Sequence, residues 1–377
     1  MRIAIDLRIF RLYGPESTAY LENLLSRVVQ SHPADEFYFL FDSPYQKRLI
    51  FSSNVTPVIV KPRANGPLGW KYWYNFKLPR VVKNLGIDLL FAASGIYSPT
   101  IGIPQVLFLK DLGVLKASDD FSKSHIRFMK GIMYAQIKKA AKIIVPSHAV
   151  MQEILETFQA EPAKISVIPA AASDLSQPLP WYEREYTKDK YAGAKDYFLY
   201  DGFISPSTQI INLIKAFSQF KKWQQSNMKL LLVGTWSEQT HDVLEQLESF
   251  RFRDDVVLLD HIPVENRAKI QASAYAMIDP SLYAGYGMHF ADAMRSETPV
   301  ICSDIAAFRE SAGDAAAFFE AGNADGLAEL LKKIYKDETW RQELIEKGKE
   351  QSKLQNYEDS AAKCWDEIIG AGKIQST

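Results

Sequence analysis

Residues 279–310 are the stretch that most constrains the fold of this chain. They predict the end of a strand, a loop punctuated by Gly285 and Gly287, a short helix and a buried strand at 300–302. Glycines before a helix allow a backbone to approach a ligand closely, and the free N–H groups of a helix N-terminus suit phosphate. The stretch therefore predicts an anion-binding loop at the C-terminal edge of a parallel sheet.

Strands and helices alternate along the rest of the chain. The apolar runs that predict strands include 2–7, 36–41, 55–61 and 229–234. Residues 17–30 predict a helix between the first two of these strands, and this order is typical of a doubly wound parallel α/β sheet. A chain of 377 residues is too long for one ordinary domain, and the polar stretch 173–195 predicts a linker between two domains.

Composition excludes several classes of protein. The formal net charge of −1 argues against nucleic acid as a main partner. Cys302 and Cys364 are the two cysteines, too few for a disulfide framework or a cysteine metal cluster. The sequence shows no secretory leader and no apolar run long enough to cross a bilayer, so we expect a cytoplasmic protein.

Three groups of motifs carry a family resemblance. Residues 280–287 are PSLYAGYG, 291–294 are ADAM and 298–301 are TPVI. In this order they resemble the nucleotide-sugar segment P-S-x-x-E-G-F-G-x-x-x-x-E-A-M-A-x-G-x-P-V-I of the family 4 (group 1) retaining glycosyltransferases. Residues 202–209, GFISPSTQ, and 312–319, AGDAAAFF, are similar to two further motifs of that family.

The resemblance implies a fold and an activity. The fold is GT-B, in which two Rossmann-like, doubly wound parallel-sheet domains face a cleft. Residues 1–172 would form the acceptor-side domain and 196–352 the nucleotide-sugar domain, with 173–195 as the linker and 353–377 as a C-terminal helix that crosses back to the first domain. The implied reaction transfers a sugar from a nucleotide sugar to a glycan or lipid-linked acceptor, with no cofactor and no metal.

Site residues follow from the resemblance position by position. The implied donor-binding residues are Gly14, Gly202, Ser207, Thr208, Gly285, Tyr286, Gly287, Met288, His289 and Asp292. The family's catalytic positions fall on Lys110, which replaces a histidine, and on Ala284, which replaces a glutamate. Two assignments have alternatives: Gly14 is also explained as an ordinary turn residue, which we favour, and His289 equally well as a residue of the first helical turn.

Several charged groups of the family pattern are replaced in this chain. The cations that neutralise the donor diphosphate fall on Phe203, Ser207 and Thr208, while Asp292 keeps the ribose-binding carboxylate one methylene shorter. Loss of one such charged contact costs roughly 10²–10³ in rate. A relocated cation could come from Lys110, Arg11, Arg295 or Arg309. The sequence therefore predicts either a glycosyltransferase with unusual donor contacts or a pseudoenzyme that keeps the fold as a binding or partner protein.

Two basic, partly apolar segments each have two interpretations. Residues 121–142 predict a long amphipathic helix; membrane-associated members of the family dock by comparable helices, which predicts peripheral contact with the inner face of a membrane. A packed helix with a solvated face is the favoured alternative. Residues 68–80 alternate aromatic and basic side chains, and here a half-buried helix is favoured over a rim that stacks on a sugar acceptor or touches lipid headgroups.

Overall fold

The structure, a computed structural model, describes residues 1–12, 15–116, 120–235 and 241–374. Gly14, one of the predicted donor-binding residues, lies outside these ranges. The chain divides into two compact units, one formed by Met1–Pro169 with Tyr357–Thr377 and the other by Ala170–Asn356. Both units are parallel α/β sheets covered by helices, so the predicted fold class is confirmed.

The first unit contains a seven-stranded parallel sheet in the order β3-β2-β1-β4-β5-β6-β7. A π-helical turn, Trp73–Lys77, joins α3 to α4. The bounds of its elements are β1 Arg2–Asp6, α1 Ile9–Leu12, α2 Pro15–Ser31, β2 Glu36–Phe41, β3 Val55–Ile59, α3 Gly66–Tyr72, α4 Leu78–Leu85, β4 Leu89–Ala92, β5 Gln105–Phe108, α5 Gly113–Lys116, α6 Lys123–Lys139, β6 Lys142–Val145, α7 His148–Phe158 and β7 Ile165–Val167.

The second unit contains a six-stranded parallel sheet in the order β10-β9-β8-β11-β12-β13. The bounds of its elements are α8 Trp181–Ala192, β8 Tyr197–Asp201, α9 Ile210–Gln224, β9 Lys229–Val233, α10 His241–Glu248, β10 Val256–Leu259, α11 Val264–Ala272, β11 Ala276–Asp279, α12 Met288–Arg295, β12 Val300–Ser303, α13 Ala306–Ala312, β13 Ala316–Phe319, α14 Ala324–Lys336 and α15 Glu338–Gln351. The last helix, α16 Tyr357–Ile374, belongs to the first unit, where it packs against α2.

Buried strands explain why the sheets were visible in the sequence. Parallel sheets are covered on both faces, so their strands are nearly continuous apolar runs. All five residues of β8 and all four residues of β4, β5 and β12 are buried. Short runs of this kind, separated by helical patterns, therefore predicted the class of fold correctly.

Two segments differ in detail from the sequence-based expectation. The stretch 173–195, predicted as a linker, contains α8, and that helix lies in the second unit. Only Thr187 and Ala192 of α8 are buried, so its sequence has little apolar periodicity to reveal it. The helix predicted at 121–142 is shorter, because Ser122 caps its first turn by accepting a hydrogen bond from the His125 N–H at 3.3 Å, and β6 begins at Lys142.

The exposure of side chains in 68–80 agrees with the half-buried helix and also leaves aromatic rings on the surface. Trp73 and Tyr74 are buried in the core of the first unit, as a half-buried helix requires, whereas Leu68, Tyr72 and Phe76 are exposed. Among the described residues, no helix is both long enough and apolar enough to span a membrane.

Candidate active site

The candidate donor site lies where β8 and β11 end in the second unit. These strands pair in parallel, so their last residues, Asp201 and Asp279, lie at the same edge of the sheet. Gly234 follows β9, which pairs with β8. Its φ is 148°, and a Cβ added to it would lie 1.8 Å from the Gly202 carbonyl oxygen. The loops that follow β8 and β9 are therefore held in close contact at this edge, and position 234 requires glycine.

The predicted glycine loop leads from β11 into α12, as the sequence indicated. An added Cβ on Gly287 would lie 2.4 Å from Cδ2 of Phe290 and 2.5 Å from Oγ of Ser311. The glycine at 287 is therefore required by packing, whereas the sequence analysis had explained it by the approach of a ligand. Within the described part of the chain, the backbone N–H groups of Met288 and His289 have no acceptor, which leaves two donors at the start of α12.

The carboxylate of Asp292 is fixed by the chain segment that opens the second unit. Its Oδ1 accepts hydrogen bonds from the Ser173 N–H at 2.6 Å and from the Ser176 hydroxyl at 2.7 Å. Burial raises the pKa of Asp292, and the neighbouring charge of Asp201 adds to the shift although both hydrogen bonds oppose it. Oδ2 accepts no hydrogen bond from any described residue, so one oxygen remains available to a ligand.

Asp279 has a similar environment beside His289. Its Oδ1 accepts the Ser281 N–H at 3.1 Å and the Ser281 hydroxyl at 2.5 Å, and burial raises its pKa. A positive charge at position 289 would oppose the rise in the pKa of both Asp279 and Asp292. The His289 carbonyl accepts a hydrogen bond from the Gln271 amide at 3.2 Å, which fixes the first turn of α12.

The loop after Gly202 satisfies its polar groups locally. The Ser205 N–H donates to the Thr208 hydroxyl at 3.1 Å, and that hydroxyl donates to the Ser205 carbonyl at 2.7 Å. The Ser207 carbonyl accepts the Leu282 N–H at 3.0 Å, which ties this loop to the glycine loop. Phe203 is half-buried, and none of the residues at the three positions where the family carries cations is charged.

A buried cation at this edge was missed by the sequence analysis. Arg267 of α11 is buried and forms an ion pair with Asp201. Its sequence context, VENRAKIQA, is polar and predicts an exposed helix, which is why the residue was not singled out. A signal was present in Asp201 itself, because a carboxylate at the end of a wholly buried strand needs a partner.

The remaining predicted residues are placed differently. Lys110 and its neighbour Asp111 follow β5 in the first unit, with Nζ 3.8 Å from Oδ2 of Asp111. Ala284 is half-buried and packs against the apolar cluster around Phe290. Arg309 pairs with both carboxylate oxygens of Asp304 at 2.7 Å and is therefore engaged away from a ligand.

The structure thus brings one group of predicted residues together in the second unit. Gly202, Ser207, Thr208 and residues 285–292 share one sheet edge. Tyr286 belongs to this group. Its pKa is raised mainly by burial and further by the charge of Glu310, which keeps the phenol protonated. Among the described residues, no group of three or more histidine, cysteine, aspartate and glutamate side chains is arranged to hold a metal.

Two family models match the sequence in succession. Residues 184–351 match the model described as glycosyl transferases group 1, and residues 22–172 match the model described as glycosyltransferase family 4. The O-antigen chain mannosyltransferase B of Escherichia coli is 25% identical over 291 residues, covering 76% of this chain and 74% of the relative. The O-antigen chain mannosyltransferase RfbU of Salmonella typhimurium is 26% identical over 298 residues, covering 77% and 78%.

Solved structures show the same architecture. The glycosyltransferase WaaG, described as involved in lipopolysaccharide biosynthesis, matches 98% of this chain and 100% of its own with a TM-score of 0.79 and 15% identity. Anabaena Alr3699/HepE in complex with UDP and glucose matches 98% and 100% with a TM-score of 0.76 and 15% identity. At these identities the likeness shows the fold, which is GT-B.

Proposed function

Because the chain belongs to the group 1 glycosyltransferases, we propose that it transfers a sugar from a nucleotide-sugar donor to a glycan or lipid-linked acceptor. The observation that carries this proposal is the start of α12, where the N–H groups of Met288 and His289 have no acceptor among the described residues. Asp292 lies about one turn further along the same helix. Free N–H groups at a helix N-terminus bind phosphate, and a carboxylate accepts hydrogen bonds from paired hydroxyls.

Each donor group has a proposed partner in this arrangement. The diphosphate would accept hydrogen bonds from the N–H groups at the start of α12. Oδ2 of Asp292 would accept from a ribose hydroxyl, since Oδ1 is already engaged by Ser173 and Ser176. The two curated relatives named above are O-antigen chain mannosyltransferases, so we propose that the transferred sugar is a mannosyl residue.

The chemistry of the step defines a second candidate function. In a retaining transfer, positive charge develops on the sugar and negative charge on the leaving phosphate oxygens, and the protein must stabilise both. Ala284 provides no carboxylate, and Phe203, Ser207 and Thr208 provide no cation. These substitutions favour a catalytically impaired protein that binds the donor or a protein partner without turnover. Lys110 replaces the family histidine, and we keep it as the proposed cation at that catalytic position in the first unit.

Calorimetry with nucleotide sugars tests the proposal directly. We expect heat of binding from a nucleotide-activated mannose and a loss of binding in Asp292→Ala. The matched control is Asp254→Ala, which removes a carboxylate that is almost fully exposed. No binding across uridine, guanosine and adenosine diphosphate sugars would contradict the glycosyltransferase and leave, of the second candidate, only a protein that binds a partner.

A transfer assay separates the two candidates. Transfer of labelled mannose to a lipid-linked acceptor, abolished in Asp292→Ala, would establish the glycosyltransferase and refute the impaired protein. Donor binding without any transfer would favour the impaired protein. The family resemblance further proposes a metal-independent reaction, so addition of EDTA should leave the rate of transfer unchanged.

We also propose peripheral contact of α6 with an anionic membrane surface. The exposed side of α6 carries Lys123, Arg127, Lys130, Lys138 and Lys139, and the helix contains no acidic residue. The exposed ring of Tyr134 lies among these cations, with the Lys138 ammonium 5.7 Å from its centroid. Met133 and Ile137 are buried on the opposite side, so the basic side is the one that faces solvent.

Co-sedimentation with vesicles tests this contact. Removing two basic residues at about 1 kcal/mol each should weaken binding to phosphatidylserine vesicles roughly 30-fold in Arg127→Gln/Lys130→Gln. Lys363→Gln removes an exposed cation of α16 and serves as the control. Equal binding of all three proteins would refute the contact.

A further inference from the structure

A second polar pocket lies in the first unit, at the C-terminal ends of β1 and β2. Its volume is about 180 Å³, and its charged lining consists of three arginines, Arg8, Arg11 and Arg48, and one carboxylate, Asp42. Arg11 is one of the cations that the sequence offered for a donor, whereas Arg8, Arg48 and Asp42 were not singled out from the sequence. Ring and hydroxyl groups complete the wall, including Tyr45, whose ring stacks on Phe41 at 4.7 Å.

Asp42 holds two of the arginines in fixed positions. Its carboxylate accepts from Nε of Arg8 at 3.1 Å and from Nε and Nη2 of Arg11 at 2.9 Å each, and also from the Ala64 N–H at 3.2 Å. Burial alone would raise the pKa of Asp42, but the hydrogen bonds and charges of the two arginines outweigh it and hold the pKa below its ordinary value. One ionised carboxylate therefore positions two guanidinium groups.

Arg8 is unusual because it is almost wholly buried, at 1% exposure. The rings of Trp70, Trp73 and Tyr74 surround its guanidinium carbon at 5.2, 4.9 and 5.1 Å. Its Nη1 has no hydrogen-bond partner among the described residues. Buried cations are costly unless they are paired or stacked on aromatic rings, so the pairing with Asp42 and the three rings fix this lining residue of the pocket.

Unpaired guanidinium N–H groups of the lining favour an anion. Asp6 lies behind Arg8 and outside the pocket, and its carboxylate is engaged by the hydroxyls of Tyr74 and Ser94. Arg48 is partly exposed and pairs with Glu22, which also lies outside the lining. Asp42, Glu22 and Asp6 together offset the charge of the three arginines, so an anion would be held by unpaired guanidinium N–H donors. Among the described residues, Nη1 of Arg8 and Nη1 of Arg11 have no hydrogen-bond partner. Guanidinium groups recognise phosphate and carboxylate in a bidentate way.

We propose that this pocket binds an anionic group of the acceptor, either a phosphate or a sugar carboxylate. The assignment to the acceptor rests on the proposed glycosyltransferase function, whereas anion binding by the pocket does not. The pocket lies in the first unit, whereas the donor residues grouped above lie in the second.

Calorimetric titration with two probes tests the pocket and identifies the source of the anion. Inorganic pyrophosphate represents a phosphate-bearing acceptor and glucuronate a carboxylate-bearing one, with glucose as the neutral comparison. We expect one of the two anions to bind the wild type, and Arg11→Gln and Arg48→Gln each to weaken that binding about tenfold or more, because each removes a charge-assisted contact. Arg48 is on the surface, so its variant remains informative if Arg11→Gln fails to fold. The matched control is Arg253→Gln, an exposed arginine paired with a carboxylate in the second unit.

The outcomes are distinct. Weakened pyrophosphate binding assigns a phosphate source, and weakened glucuronate binding assigns a carboxylate source. If neither anion binds more weakly to the two variants than to Arg253→Gln, the arginines are structural and the pocket proposal is wrong. Donor binding measured on Arg48→Gln should be unchanged, because Arg48 is an exposed residue of the first unit that has no assigned donor role. Failure of the donor titration would therefore refute the proposed function without changing the result for the pocket.

Discussion

Replacing Gly287 with alanine tests whether packing fixes the loop before α12. The added methyl group would lie 2.4 Å from Cδ2 of Phe290 and 2.5 Å from Oγ of Ser311. Both distances are far below the optimal separation of about 3.5–4.0 Å for carbon atoms. The Ser311 hydroxyl can rotate away, but Phe290 is fully buried and its ring lies 4.8 Å from that of Phe308, so it cannot move without disturbing the core.

The magnitude follows from this geometry. Over-packing a well-packed core costs about 1–3 kcal/mol. Gly287 has a φ of −81°, which alanine adopts without strain, so the steric contact accounts for the whole cost. In a unit of this size, each kcal/mol lowers Tm by about 2–4 °C. We therefore expect Tm of the second unit to fall by about 2–12 °C in Gly287→Ala, measured by differential scanning calorimetry.

Gly131→Ala is the matched control, because it makes the same chemical change with the opposite expected sign. Gly131 lies inside α6, and an added Cβ there meets no atom within 4 Å. Alanine should stabilise this helix by about 0.5–1 kcal/mol, and only in the transition of the first unit. An unchanged or higher Tm for Gly287→Ala would refute the packing argument and restore ligand approach as the reason for a glycine at this position.

The other predictions concern buried ionisable groups. Burial raises the pKa of Asp292 in the folded chain, so above about pH 4 the carboxyl group ionises more readily in the unfolded chain and the folded state loses stability. The urea midpoint of the wild type should therefore fall relative to that of Asp292→Asn as the pH rises. Arg267→Met should destabilise the second unit by about 3–5 kcal/mol because it leaves Asp201 as an unpaired buried charge, and adding Asp201→Asn should recover most of the loss in urea unfolding. Burial raises the pKa of Cys302 well above its ordinary value and that of Cys364 to about 12, so neither thiol should react with a disulfide reagent until urea unfolds the chain. The first prediction is wrong if the difference in urea midpoint between wild type and Asp292→Asn does not change with pH. The second is wrong if the double variant is no more stable than Arg267→Met, and the third if the reagent labels either thiol in the folded chain.

Features with a local physical cause could be predicted from the sequence. The apolar run 229–234 became β9, because a strand covered on both faces must be apolar throughout. The glycine loop and the helix after it were visible because glycine and the following apolar spacing act within a few residues. The motif order of 280–301 then identified the fold, which the two parallel sheets confirm.

Features that depend on distant parts of the chain could not be predicted. Asp292 receives its hydrogen bonds from Ser173 and Ser176, more than a hundred residues away, and no local pattern announces that pairing. The helix α8 was missed because it buries only two side chains, and Arg267 because its partner belongs to another element. The sequence indicates which residues lie at an edge of the sheet. Hydrogen-bond and ion-pair partners that come from separate elements can be identified only in the folded structure.

The structure changes the meaning of the missing cations. From the sequence, the replacement of charged residues at 203, 207 and 208 removes the neutralising charge of a donor diphosphate. In the structure, Ser205 and Thr208 close their loop with mutual hydrogen bonds, so this loop needs no ligand to be stable. Burial meanwhile raises the pKa of both Asp279 and Asp292, which makes ionisation of these carboxyl groups less favourable. A donor diphosphate at this edge would therefore depend on backbone N–H groups and on weakened carboxylate repulsion, and donor affinity should rise as pH falls toward the raised pKa values, in contrast to a site that neutralises phosphate with arginine and lysine.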